Sequence, residues 1–229
     1  MPIIANGSNQ GIKLINKPNY KNTLKNIIFF SGGIILFIVG VIGYGVILNL
    51  RTVTLAESMI EKGIKTFKNP RIIIDRESYT LSLYEDTLLI KTYRASFGPN
   101  VKERKKKVGD LATPIGEYEI CDIDTSYLYD KFLRLNYPNI EDITEALRKG
   151  LITQTEFDRL KYQFYYEGCP TLDTVLGNNI GIQGTGRLNF LLKNLPFVYN
   201  WTNGCIAISN EGIDELYSIV KKGTKIVIK

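Results

Sequence analysis

Between Lys25 and Arg51 the chain carries no charged residue, and from Ile27 to Leu50 apolar side chains dominate on every face. A run of that kind exceeds the roughly 20 residues a bilayer core requires and is longer than the apolar core of about 7–15 residues in a cleavable signal. A buried helix of a soluble domain would normally keep one polar stripe. The pattern therefore predicts a transmembrane anchor over 26–50, preceded by a polar tail over 1–25. After it, Leu55, Met59, Ile60, Ile64 and Phe67 recur at helical spacing up to Pro70, which predicts a linker helix over 51–70. The texture then changes to short β-branched runs. Ile72 to Ile74, Thr80 to Tyr84 and Leu88 to Tyr93, separated by polar turns, read as a strand meander.

Farther on, Thr113-Pro114 followed by Gly116 sets a tight turn before a strand over Glu117 to Cys121. Residues 122–170 are expected to form a mostly helical insertion, either a lid or a plain packing element. Within it one helix runs from Ile140 to Leu147, begun at Asn139 and stopped by Gly150. A second opens on the capping box Thr153 to Glu156, with Phe157, Leu160 and Phe164 on one face. At the C-terminal end, Ser209 or Asn210 caps a helix over Ile213 to Val220, Gly223 ends it, and Lys225 to Ile228 supplies a last strand.

Charge changes this picture less than its total suggests. The formal net charge is +6. Lys13, Lys17, Lys21 and Lys25 lie in a tail without acids, so 29 − 4 = 25 basic residues face 23 acidic ones in the remainder. A near-neutral domain is a poor attractor for a phosphate backbone, and no nucleic-acid partner is expected. Lys17, Lys21 and Lys25 against Arg51 place the tail inside by the positive-inside rule. A wider window adds Lys62, Lys65 and Lys68 on the far side and evens the count. The loop Lys102 to Lys107 is a solvated basic loop or a contact for anionic polymers.

Chemistry is bounded by an absence: the chain has no histidine. No Cys–His or Ser–His dyad can form, nor a His-ligated zinc site. Cys121, Cys169 and Cys205 are too widely spaced for a Cys-x-x-Cys motif, so no metal or cofactor is expected. In an exported domain an odd count permits one bridge, Cys121 to Cys169, leaving Cys205 free, although connectivity is not fixed by sequence.

Three segments carry a family resemblance: Gly109-Asp110-Leu111-Ala112-Thr113-Pro114-Ile115-Gly116, Ile182-Gln183-Gly184-Thr185-Gly186-Arg187, and Trp201-Thr202-Asn203-Gly204-Cys205. In this order they resemble the L,D-transpeptidase (YkuD-type) catalytic domain, in its Trp-Thr-x-Gly-Cys subgroup. The resemblance implies a mainly β fold with α insertions, a YkuD-like β-sandwich, over 71–229. It implies a bacterial membrane protein with the domain outside the cytoplasm, acting on peptidoglycan stem peptides between a diamino acid and D-alanine. Cys205 becomes the nucleophile, and the backbone N–H groups of Gly204 and Cys205 become oxyanion donors. The carbonyl of Gly184 matches the group that orients the family's histidine. Thr185, Arg187, Trp201, Thr202 and Asn203 fall where substrate binds, and Arg187 or Arg159 offers a charge for a stem-peptide carboxylate. Gln183 stands in the histidine's place and has no basic nitrogen, while Ala207 stands where an arginine or similar residue is often seen. Alternatives on the same fold are a catalytically silent wall-binding scaffold and an L,D-endopeptidase or carboxypeptidase.

Overall fold

The computed structural model describes residues 20–50, 52–126 and 128–229; the first 19 residues of the tail expected over 1–25, Arg51 and Tyr127 lie outside them, and residues 20–25 of that tail are helical. Contacts divide the chain into two units, Met1–Val41 and Ile42–Lys229. Helix α1 (Tyr20–Asn49) is long and apolar enough to cross a membrane, with a mean hydropathy of 2.4 in its most apolar window. Its C-terminal end belongs to the second unit. There Gly45 is buried, and a Cβ on it would lie 1.8 Å from the Asn194 carbonyl oxygen. Asn49 Nδ2 donates to Lys193 O at 2.8 Å and to Asn194 Oδ1 at 2.7 Å.

Helix α2 (Leu55–Glu61) follows, then strands β1 (Pro70–Asp75), β2 (Thr80–Glu85), β3 (Leu88–Arg94), β4 (Gly116–Ser126) and β5 (Asp130–Leu135). Helices α3 (Ile140–Arg148) and α4 (Gln154–Tyr162) come next, α4 running on through one π turn at Gln163–Glu167. The chain closes with β6 (Gly181–Gly184), α5 (Asn189–Lys193), β7 (Ile206–Ile208), α6 (Asn210–Tyr217) and β8 (Lys225–Ile228).

The strands form one sheet in the order β3-β2-β1-β8-β4-β5-β6-β7, with β1–β8 and β6–β7 parallel and the other pairs antiparallel. A bulge between Ile120 and Asp122 bends β4, which is shared by both halves of the sheet. Just past β3, Ser96 exchanges two backbone hydrogen bonds of 2.8 Å with Ala207 in β7. The two sheet edges therefore meet, which protects both from foreign strands. Alternation explains the core. Ile72 and Ile74, Leu81 and Leu83, Leu133 and Leu135, and Ile226 and Ile228 point one way along their strands and are buried together, covered by Ile213 and Leu216 of α6. A second, smaller core joins Ile143, Ala146, Ile152, Leu160 and Leu176.

Two expectations change. Residues 122–170 are not mostly helical: their first part is the far end of β4 and all of β5, and helices begin only at Ile140. The β5 segment, Asp130-Lys131-Phe132-Leu133-Arg134-Leu135, has weak strand propensity alone and is set by pairing on both sides, with β4 and β6. The expected linker helix over 51–70 is a single short helix. It is held by a capping box between Thr54 and Glu57 and ends before Gly63, whose φ is +69°. It does not stand free: Leu55 is part of the main core, and its N–H donates to Glu215 Oε1 at 2.8 Å. The caps at Asn139, Thr153 and Ser209 sit at the N-cap positions of α3, α4 and α6. Cys121 and Cys169 are joined in a disulfide that ties the helical segment to β4, leaving Cys205 free.

Candidate active site

The site is built where three connecting segments meet at one end of β6 and β7. Entering β7, the chain turns at residues 200–205. Asn200 Oδ1 accepts the Phe97 N–H at 3.0 Å and the Thr202 N–H reaches Phe97 O at 3.2 Å, so the turn is clamped to the segment after β3. The Thr202 hydroxyl donates to Cys205 O at 2.6 Å and accepts the Gly204 N–H at 3.3 Å, closing the loop on itself. Gly204 adopts φ +113°, and a Cβ there would come within 2.7 Å of the Ala112 carbonyl oxygen. Only glycine fits, because the position is both left-handed and crowded.

Cys205 follows, half-buried, at the head of β7. Its thiol points at the Asn179 carbonyl, 3.7 Å away. Burial pushes the thiol pKa above its ordinary value, while a backbone hydrogen bond from Gly181 and the Lys105 ammonium pull it down. In the β6–β7 ladder Gln183 pairs with Ala207, and side chains alternate, so Gln183 shares a sheet face with residues 205 and 207. Gln183 is buried.

The remaining expected residues divide by what their polar atoms already do. Gly184 is wedged against Tyr129 O and Asn210 Oδ1, where a Cβ would approach to 2.6 and 2.8 Å. Thr185 is buried with its hydroxyl donated to Asn189 Oδ1 at 2.8 Å, so it fastens the turn before α5. Thr202 is spent on the Gly204–Cys205 turn, and the Gly204 N–H expected to face an oxyanion has Thr202 as acceptor. Trp201 differs: its ring packs 6.1 Å from Tyr129, and its buried Nε1–H has no acceptor among the described residues. Asn203 and Arg187 are exposed, Arg187 on a single 3₁₀ turn, and Arg159 is exposed on α4.

Sequence reasoning missed the loop before the Thr113-Pro114 turn. The stretch 102–107, expected as a solvated basic loop or a contact for anionic polymers, is exposed except at Lys105, and it is folded back by Asp110. One carboxylate oxygen of Asp110 accepts the N–H of Lys106 at 2.6 Å and of Lys107 at 2.9 Å, and the other accepts the Ala112 N–H at 3.1 Å and Lys105 Nζ at 3.0 Å. These hydrogen bonds hold the Asp110 carboxyl below the usual carboxylate range against an opposing desolvation. The Lys105 side chain is 4% exposed, and its Nζ lies 3.5 Å from where a side chain on Gly204 would begin. The trace of this in the sequence is Asp110, in the Gly109-Asp110-Leu111-Ala112-Thr113-Pro114 segment that follows the lysine-rich run. Two cavities flank the region. One of about 590 Å³ is lined by Tyr93, Thr185, Ala207 and Glu215, and one of about 380 Å³ by Lys105, Pro114, Tyr137 and Asp142; Cys205 lines neither. Among the described residues no cluster of three metal-ligating side chains forms.

Residues 69–228 match the L,D-transpeptidase catalytic domain, YkuD, and the chain belongs to that family. Among curated proteins none matches it. Similar solved structures include an L,D-transpeptidase from Xylanimonas cellulosilytica at 13% identity, covering 75% of this chain and 68% of that one, with a TM-score of 0.43. Another is the helical cell shape determining protein Pgp2 from Campylobacter jejuni, at 19% identity, 77% and 55% coverage and a TM-score of 0.43. A third is an L,D-transpeptidase from Mycobacterium tuberculosis, at 13% identity, 70% and 58% coverage and a TM-score of 0.41. The chain spans little more than half the length of the last two.

Proposed function

We propose that this protein is a membrane-anchored, extracytoplasmic acyltransferase on peptidoglycan stem peptides, with Cys205 as nucleophile and a rate lowered by the lack of a histidine base. The observation that carries the reading is Cys205 itself. It is the free thiol, half-exposed behind a glycine-only turn, with a backbone hydrogen bond on its sulfur and Gln183 on the same sheet face. In the reaction the thiolate attacks the carbonyl between the diamino acid and D-alanine, D-alanine leaves, and an amine or water resolves the thioester. The Cys205 N–H is the oxyanion donor of this reading. In this reading the exposed Asn203 and Arg187 are the polar side chains offered to the stem peptide.

Helix α1 is the anchor in this reading, the segment before it is the cytoplasmic tail, and residues 71–229 are the catalytic domain. The Cys121–Cys169 disulfide supports an oxidising compartment for that domain. Gln183 supports the lowered rate: its amide can hold a substrate group but cannot accept the thiol proton, and general acid–base help is worth roughly 10²–10⁴ in rate.

A carbapenem tests the chemistry. Intact-mass measurement should show one adduct on the full chain, absent in Cys205→Ala, and Gln183→His should accelerate its formation. A wild-type protein that takes up no carbapenem on prolonged exposure is instead the silent scaffold, a reading favoured by the raised thiol pKa. Muropeptide products then separate crosslinking from stem trimming.

A further inference from the structure

Stabilising a cysteine thiolate requires positive charge or hydrogen-bond donors near the sulfur. In a chain without histidine that charge must come from lysine, arginine or the backbone. We propose that the Lys105 ammonium, held by Asp110, is the fixed positive charge that stabilises the Cys205 thiolate, with Asp110 as its positioning residue. The inference rests on the acyl-transfer reading for its chemistry, but its geometry stands without it.

Four observations converge. The Lys105 side chain is buried, although lysine is among the residues least often buried. Its Nζ lies 3.5 Å from where a Cβ on Gly204, the residue before the nucleophile, would sit. It is not left to wander, because Asp110 Oδ1 at 3.0 Å and the Lys107 carbonyl at 3.2 Å take two of its three protons. Finally, Asp110 is itself fixed by three backbone N–H groups, from Lys106, Lys107 and Ala112, so the charge is presented from a rigid mount. A staple for a surface loop needs none of this depth. The exposed pair Lys106–Glu103 one residue away shows what a plain loop contact looks like here.

The step balances without proton transfer to lysine. The S–H bond of Cys205 breaks, its proton passes to water, and its electron pair stays on sulfur beside the ammonium. That pair forms the C–S bond to the substrate carbonyl carbon while the π pair moves onto oxygen. It returns as the C–N bond to the leaving amino acid breaks, and water protonates the departing nitrogen. Lys105 stays protonated throughout, paired with Asp110. It supplies charge where an imidazole would supply both charge and proton.

The test is the pH profile of Cys205 alkylation by iodoacetamide, on the full chain in detergent with the disulfide intact. Lys105→Met should move the midpoint up by about one pH unit, roughly a tenfold loss of rate below it, the scale of removing one nearby opposite charge. Lys105→Arg should return most of the rate, because the role needs charge and not a base. Lys106→Met should leave the profile unchanged. An unmoved midpoint in a folded Lys105→Met protein, or an Arg variant as slow as the Met one, overturns the assignment. Should Lys105→Met not fold, the wild-type protein gives the same answer: a fixed cation makes anionic iodoacetate react faster relative to neutral iodoacetamide than it does with free cysteine. A ratio no higher than for free cysteine also overturns the proposal. Failure of the two ideas is distinguishable. A shifted midpoint without a carbapenem adduct leaves the charge assignment standing and removes acyl transfer. An adduct with an unshifted midpoint does the reverse.

Discussion

At the scale of single residues, the candidate site depends on a position that has no side chain. Gly204 combines φ +113° with 2.7 Å of clearance from the Ala112 carbonyl for a would-be Cβ, so an alanine there meets both strain and a backbone wall. Gly204→Ala is expected to destabilise the domain by about 1–3 kcal/mol, the usual scale for a disfavoured backbone conformation. The larger effect falls on the carbapenem adduct, because relief of the clash must move either Cys205 or the Thr113-Pro114 turn. Chemical denaturation and adduct kinetics on the same variant check this, and an unchanged adduct rate would show that the turn tolerates a side chain. This glycine and its cysteine were legible in the sequence because a Gly-Cys pair ahead of a β-branched run is a local pattern. Lys105 was not: a lysine in a run of lysines looks solvated, and what buries it is a carboxylate five positions later. Nor could spacing show that the hydroxyls of Thr185 and Thr202 are consumed within their own turns.

At the scale of elements, helix α3 is joined to β4 by a part-buried pair, the Tyr118 hydroxyl donating to Asp142 Oδ2 at 2.9 Å. Asp142 also caps α3 by accepting the Asn139 N–H at 3.0 Å. Burial outweighs these bonds and the nearby Arg104, and raises the Asp142 carboxyl to about 6. Because the folded state holds this proton more tightly than the unfolded chain, the group's stabilisation is complete below about pH 4 and is lost as pH rises through about 6. Asp142→Asn keeps the shape and removes the titration. Relative to the wild type, the variant should therefore gain stability between about pH 4 and pH 7, on the order of 2 kcal/mol. Urea denaturation of both proteins across that range measures it, and parallel curves would mean the carboxyl is not perturbed. The caps of α3 and α4 could be read from sequence since capping boxes are written in four consecutive residues. Strand β5 could not, since its identity comes from β4 and β6 on either side, and α2 was overextended because apolar residues after Gly63 keep a helical rhythm while packing from a turn.

At the scale of the whole molecule, one apolar helix and one disulfide make linked demands on where the chain resides. Helix α1 is long and apolar enough to cross a membrane and leaves Phe29, Phe30, Leu36 and Phe37 exposed. The Cys121–Cys169 bridge closes a span of 48 residues, worth about 4 kcal/mol by chain entropy, and persists only where thiols are not kept reduced. Both demands are met if α1 spans a membrane and the domain lies on the oxidising side. In fractionated cells the protein should stay with membranes through high-salt and carbonate washes and leave only with detergent. On intact spheroplasts, added protease should remove the domain, and the protected remnant should carry the N-terminal lysines. Under denaturing conditions a membrane-impermeant maleimide should label Cys205 alone until reductant is added, after which Cys121 and Cys169 should label as well. Release by salt would identify α1 as a surface contact. A protected domain with three reactive thiols would place it in the cytoplasm, and an extracytoplasmic substrate would then be out of its reach.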